Sequence, residues 1–207
     1  MIYDVSMAIT PEIQVYKNMP SKKPKFKNIA NFGQDGFYES EITMNLHTGT
    51  HIDYPLHMIE NGNDSNHEVL TNMISDVKIF DVSYLTESID LNSIRKFDIQ
   101  EGDFVFFKTK NSYSEEFLPD FTYLGSDAAK YLRDKRIKGV GIDGLGIERS
   151  QANHPTHIAL LDQGILIIEG LRLKEVKQGI YKMICLPLKI MNVEATPARI
   201  ILLDKTQ

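Results

Sequence analysis

A single cysteine, Cys185, stands in the 207-residue chain, so no disulfide can form within it. That scarcity fits a reducing compartment. Cys185 lies inside the apolar run "YKMICLPL" and reads as a small buried hydrophobe rather than a nucleophile. Positive charge is not in excess either: 23 Lys+Arg face 28 Asp+Glu, a formal net charge of −5. This excludes the basic footprint of a nucleic-acid binder. The one basic cluster, "SKKPKFK" at 21–27, is short, is interrupted by proline and reads as a solvated loop. No apolar run is long enough to span a bilayer. The first residues lack a basic stretch followed by an apolar one, so no signal peptide is expected. The expectation is a cytoplasmic protein that binds neither nucleic acid nor membrane.

Several catalytic signatures are missing too. There is no H-E-x-x-H helix, no pair of cysteines for a structural zinc, no G-x-S-x-G elbow and no P-loop. Zincin, serine hydrolase and nucleotide-binding readings therefore lose their anchors. The stretch "GVGIDGLG" (139–146) has glycines without dinucleotide-binding spacing, and reads as a strand end passing close to another backbone.

What is present is a succession of short apolar segments separated by turn residues. The length suits one domain over residues 1–207. Strands are expected at "IYDVSM", "VKIFDVSYL", "DFVFFKT", "GIYKMICLPLKIM" and "ARIILLDK", with a loop or short helix, "LNSIRKF", between the second and third. In "YESEITMNLH" (38–47), Tyr38, Ile42, Met44 and Leu46 share one face, and Glu39, Glu41, Thr43, Asn45 and His47 the other, the period of a half-buried strand. "SDAAKYLRDKRIKGVGIDGLGI" reads as a helix capped by Ser126 or Asp127 followed by a buried strand. "NHPTHIALLDQGILIIEGL" repeats that pattern, with Asn153 as cap, Pro155 early in the helix and Gly164 at its exit. The fold class is α/β, with a mixed, strand-rich sheet.

Three of the six histidines fall in "HTGTHIDYPLH" at 47–57. His47 closes the alternating segment, and Gly49 permits a backbone turn that a Cβ would resist. His51 and Asp53 are two apart, so in extended chain they project to one side. The three can converge, and two imidazoles with a carboxylate suit Zn, Mn, Fe or Ni. Pro55 stiffens the exit. His57 can reach the same cavity without being needed as a ligand. Thr50 can hydrogen-bond substrate or orient a ligand. A second source of donors is "HPTHIALLDQGILIIEG". His157 lies early in the expected helix, and Glu169 ends a buried strand where an unpaired charge is costly. Glu169 is expected either to pair with Arg172 or to join the metal ligands, and the first cluster's need for ligands favours the second. His154 reads as a cap-region or surface residue, and His67 as a loop residue.

The segment "HTGTHIDYPLH" resembles the His-x-Gly-Thr-His-x-Asp-x-Pro-x-His signature of the cyclase family of metal-dependent hydrolases, which includes bacterial kynurenine formamidases and isatin hydrolases. The resemblance continues through "GVGIDGLGIE", "HIALLDQGILIIEGL" and "LPLKI…TPARIILL", in order along most of the chain. It implies a swivelling β/β/α-type fold, homodimers or homotetramers, and one or two divalent metals per subunit, Zn2+ or Mn2+. Carried over by position, His47, His51 and Asp53 would hold the first metal. Asp53 and Glu169 would bridge to a second bound by His157, and His57 would be the catalytic acid/base. Tyr16 matches the family's aromatic residue near the N-terminus. Asn18 stands where the family has glycine, and the chain has no tryptophan. The "GIDGLGIE" stretch also departs from the formamidase form. The implied activity is hydrolysis of a small amide, formamide or cyclic amide by metal-activated water. A lactone or cyclic-imide hydrolase with the same site, and a metal-binding protein without catalysis, are the alternatives.

Overall fold

The computed structural model describes residues 1–68 and 70–205. Among the described residues twelve strands run in chain order: β1 (Ile2–Asp4), β2 (Lys25–Ala30), β3 (Glu39–Thr43), β4 (His51–Asp53), β5 (Ile74–Asp81), β6 (Ser88–Ile89), β7 (Phe104–Lys108), β8 (Tyr123–Leu124), β9 (Gly139–Ile142), β10 (Leu166–Glu169), β11 (Gly179–Pro187) and β12 (Ala195–Asp204). The helices are α1 (Phe32–Asp35), α2 (Leu70–Met73), α3 (Leu91–Ile94), α4 (Ser126–Asp134) and α5 (Pro155–Leu161).

Eight strands form one mixed sheet in the order β1-β12-β11-β5-β7-β9-β10-β4, and β4 also pairs with β12, closing the sheet on itself. β5, β7, β9 and β10 are parallel neighbours, with α4 crossing from β7 to β9 and α5 from β9 to β10. The remaining pairings are antiparallel. This is the strand-rich mixed α/β arrangement expected, in a barrel-like form.

β7 and β9 are apolar runs buried on both faces. Along β7, Phe104 and Phe106 enter the barrel core beside Ile52, Ile168, Met183 and Cys185. Val105 and Phe107 face the other way, onto a second core that includes Leu132 of α4 and Leu160 of α5. Gly139 and Gly141 of β9 make room for this packing: an added Cβ would come within 2.3 Å of the Phe104 ring and 2.5 Å of the Phe106 ring. Within "GVGIDGLG", Gly139 and Gly141 thus face aromatic rings, while the end of the stretch runs close to backbone as expected: Gly170 N donates to the Gly144 carbonyl at 2.8 Å, and a Cβ on Gly146 would meet the Glu148 carbonyl at 2.9 Å. Cys185 is fully buried, and burial pushes its thiol pKa well up, in line with an inert hydrophobe.

Three local expectations need correction. The N-cap position of α5 is His154, with no side-chain cap bond, and not Asn153. The segment 38–47 is not half-buried: β3 pairs only with β2, in a separate two-stranded hairpin whose β3 residues are all exposed. The α4 cap position is Gly125, and the Asp127 carboxylate accepts instead from Leu91 N and Ala128 N, tying α4 to α3.

Candidate metal centre

β4 is three residues long, and its alternation sorts the site. Ile52 points into the barrel core, so His51 and Asp53 point out of it, toward α5. In the antiparallel register His51 lies opposite Glu169 of β10. Glu169 follows Ile168, which faces the barrel core, so the same alternation turns its carboxylate to the histidine side. His47 precedes β4, in a turn in which Gly49 adopts φ +67°. That turn is locked from beneath: Thr50 Oγ1 donates to the Gly170 carbonyl at 2.6 Å and accepts from Met7 N at 2.8 Å. Thr50 is buried with its hydroxyl consumed, so it positions the turn and does not face the cavity; the expectation of a substrate contact is corrected. Pro55 starts a single helical turn, Pro55–His57, which brings the His57 ring to 4.4 Å from that of His47, centroid to centroid. α5 opens with Pro155 and carries His157.

These five elements bring together every predicted ligand. Asp53 is completely buried. Its Oδ1 lies 3.0 Å from His47 Nδ1 and 3.5 Å from His51 Nε2, and its Oδ2 3.9 Å from His157 Nε2. Glu169 lies 3.5 Å from His51 Nε2 and 3.4 Å from His157 Nε2, and accepts from Ile147 N at 2.5 Å. Arg172, the alternative partner, turns away to Glu115 and Ser114. His57 offers a nitrogen within 4.8 Å of donors from His47 and Asp53.

The donor set fits a divalent metal. His51 Nδ1 is 2.9 Å from the Gly49 carbonyl, which can only accept, so Nδ1 carries the proton. In the neutral ring the Nε2 lone pair then faces two carboxylates. His51 Nε2 and both Asp53 oxygens are buried without a hydrogen-bond partner. Acceptors pointed at one another in a dry interior are costly unless a cation lies between them.

The charges respond accordingly. For Asp53, burial works to raise the pKa, but the charges of His51 and His47 overcome it and hold the carboxyl well below the usual range. Burial works to lower His157, yet Glu148 and Glu169 outweigh it and push the ring up to about 10. His47 likewise resists burial through Asp53 and rises. His57 moves the other way: burial, against the attraction of Asp53 and with repulsion from His47 and His157, lowers it from 6.5. Of these three imidazoles, His57 alone is shifted toward its neutral form.

Two contributors escaped the sequence reading. Glu148 is buried, with Oε2 accepting from Thr156 N at 2.9 Å and Oε1 2.7 Å from His154 Nδ1. The same Oε1 lies 3.0 Å from His157 Nδ1, off the line of a good hydrogen bond, and turns Nε2 toward Asp53 and Glu169. A carboxylate behind a ligand imidazole orients it and raises its basicity. Glu148 sits in an irregular loop, so no period marks it; its one signal is an acid closing the glycine-rich run "GVGIDGLGIE". His154, expected as a cap-region or surface residue, is exposed at the N-cap position of α5, where its backbone is left-handed (φ 46°), and it also lines the cavity. The start of this loop is anchored by Asp143, whose carboxylate accepts from Thr109 and Ser112 backbone and hydroxyl groups. Burial pushes that carboxyl up to about 6.

A cavity of about 250 Å³ opens on the cluster. His47, His57, His157 and Glu169 form one part of its wall, and Met58, Leu145, Tyr16 and Lys22 another. Tyr16 therefore stands where the sequence reading put it. Lys22 shows that the "SKKPKFK" cluster is not only a solvated loop.

The Cyclase family model matches residues 3–149. A kynurenine formamidase of Salinibacter ruber is 29% identical over 206 residues, spanning 98% of this chain and 97% of that one. A solved structure described as a potential metal-dependent hydrolase with cyclase activity is 47% identical, with a TM-score of 0.94, over 100% of this chain and 99% of the other. An isatin hydrolase from Labrenzia aggregata, bound to benzyl benzoate, shares the fold at 22% identity, with a TM-score of 0.85 over 99% and 94% of the two chains.

Proposed function

Because the chain belongs to the cyclase family, we propose that it is a metal-dependent hydrolase cleaving a small amide, formamide or cyclic amide. One observation carries the reading: the buried, mutually facing acceptors of His51 and Asp53 lie beside His47, His157 and Glu169, which line a cavity together with His57, an imidazole whose pKa is lowered. A storage site would gain nothing from that arrangement. The formamidase named above supports an amide substrate.

In this reading His47, His51 and Asp53 would hold a first metal, and Glu169 and His157, with Asp53, would hold a second. Zinc suits the imidazole–carboxylate set, and manganese is its rival. When bound, the metal polarises the scissile carbonyl and acidifies a water. The protein's own part is protonic and geometric. Glu148 holds His157 in its orientation. His57, neutral at neutral pH, accepts the proton of the attacking water and returns it to the leaving nitrogen. Tyr16 packs edge-on against Phe117 and Phe121 and closes the cavity over the substrate.

The same proposal includes a cytoplasmic homo-oligomer. The β2–β3 hairpin presents Phe26 opposite Ile42, both half exposed, on one face, and pairs Lys27 with Glu41 on the other. An exposed apolar pair on one face of a hairpin is a patch that a two-fold contact between copies would bury. Among the described residues no helix is long and apolar enough to cross a membrane.

The test is metal analysis of the purified protein, then a screen of N-formyl anilines, lactams and lactones before and after chelation. Hydrolysis of an amide that chelator abolishes and Zn2+ or Mn2+ restores is expected. Full activity in metal-free protein would overturn the reading.

A further inference from the structure

The cavity carries one lysine or arginine among the described residues that line it, Lys22. Its surroundings are unusual for a lysine. The two acids that line the cavity are engaged: Glu148 with His154, His157 and Thr156 N, and Glu169 with His51, His157 and Ile147 N. Among the described residues no carboxylate lies within ion-pair distance of the Lys22 ammonium. Lys22 is half-buried, and its Nζ lies 5.4 Å from the centre of the Tyr16 ring. That ring is itself fixed, edge-on to Phe117 and Phe121 and with its hydroxyl 3.2 Å from Ser150 Oγ. The turn between them is built: Lys17 and Asn18 both take left-handed backbone (φ 57° and 50°), which reverses the chain after Tyr16 and returns Lys22 to the cavity. Left-handed conformations are unfavourable for a residue with a Cβ, and asparagine bears them best after glycine.

A cation held over an aromatic face, partly shielded from water and lacking a counter-charge, favours an incoming anion. At about 250 Å³ the cavity lies below the usual range for drug-sized ligands and suits a single-ring molecule. We propose that Lys22 is a specificity-determining residue, selecting amides that carry a carboxylate on the part of the molecule away from the scissile bond. The scissile group meets the histidine–carboxylate cluster, the ring of the substrate lies along Tyr16, Met58 and Leu145, and the carboxylate meets the Lys22 ammonium. This selectivity rests on the hydrolase reading for its meaning, but it is a statement about binding and is testable as one.

The experiment uses two matched pairs on metal-loaded protein. Calorimetry reads the affinity of 4-acetamidobenzoate against acetanilide; turnover reads 4-formamidobenzoate against formanilide. The native protein is expected to favour the carboxylated member of each pair. In Lys22→Met the preference ratio falls about 10- to 100-fold, the range for a hydrogen bond to a charged group. The loss appears in Kd and KM rather than kcat. Lys22→Arg retains the preference, Lys22→Glu reverses it, and raising salt weakens it in the native protein alone. If both formamides are hydrolysed but the ratio is the same in native protein and Lys22→Met, the selectivity proposal falls and the hydrolase reading stands. If neither formamide is hydrolysed yet the binding preference is present and lost in Lys22→Met, the reverse holds. No carboxylate preference in either measurement overturns the proposal.

Discussion

Asp53 is where the site's demands concentrate. A carboxylate with no solvent exposure would be expensive alone, yet three imidazoles face it. Removing it should remove metal and activity together, and Asp53→Ala is predicted to purify without metal. His57 is predicted to differ. His57→Ala keeps most of its metal and its fold but loses about 10²- to 10⁴-fold in rate, as for general acid–base groups. Metal content measured beside turnover decides; if His57→Ala is as metal-free as Asp53→Ala, His57 is a ligand. Because its pKa is lowered from 6.5, the basic form already prevails at neutrality. The kcat/KM profile should therefore hold level at pH 7 and fall only as pH drops through the depressed value. A limb above pH 7 would instead mark another group. At this scale His47, His51 and Asp53 were legible because a strand's two-residue period and a glycine turn fix their directions. Glu148 and His154 were not, since an irregular loop imposes no period and the left-handed backbone at His154 leaves no mark in the sequence.

At the scale of elements, the buried strands could be read because both of their faces are apolar. β7 and β10 are continuous hydrophobic runs for the reason that one face enters the barrel and the other meets α4 and α5. The segment 38–47 was misread because the same alternation describes a strand resting on its own core and a hairpin that presents an apolar face to something else. In this protein β3 meets only β2, and Phe26, Phe32, Phe37, Tyr38 and Ile42 are all exposed. If that face joins a second copy, charge placed there should separate the copies without unfolding either. Phe26→Glu with Ile42→Glu is predicted to shift the protein from oligomer to monomer in light scattering at micromolar concentration, with unchanged far-ultraviolet dichroism. A native protein that is already monomeric, or a variant whose mass is unchanged, would count against the hairpin as the contact.

For the whole molecule, the donors come from distant stretches that only closure of the sheet makes neighbours. β4 carries His51 and Asp53 and bridges β10 to β12, while His157 arrives on the crossover between β9 and β10. A cation held there ties both halves of the chain together, so its binding energy is also stability of the entire fold. Mass action gives about 2.7 kcal/mol at a free metal concentration 100 times Kd. For a chain of this size that corresponds to a rise in Tm of roughly 5–10 °C. The sign with pH follows from His157. Without metal, Glu148 and Glu169 raise its pKa to about 10. Its proton therefore contributes stability that is complete below the ordinary imidazole value and is lost as pH rises through about 10. A bound metal must displace that proton, so it competes least well in acid. The metal-induced rise in Tm is predicted to grow between pH 6 and pH 8, with proton release visible as calorimetric heats that depend on the ionisation enthalpy of the buffer. Asp53→Ala should show no metal-dependent rise at either pH, and His57→Ala should show the native one. A rise independent of pH, with no proton released, would mean that His157 takes no part in holding the metal.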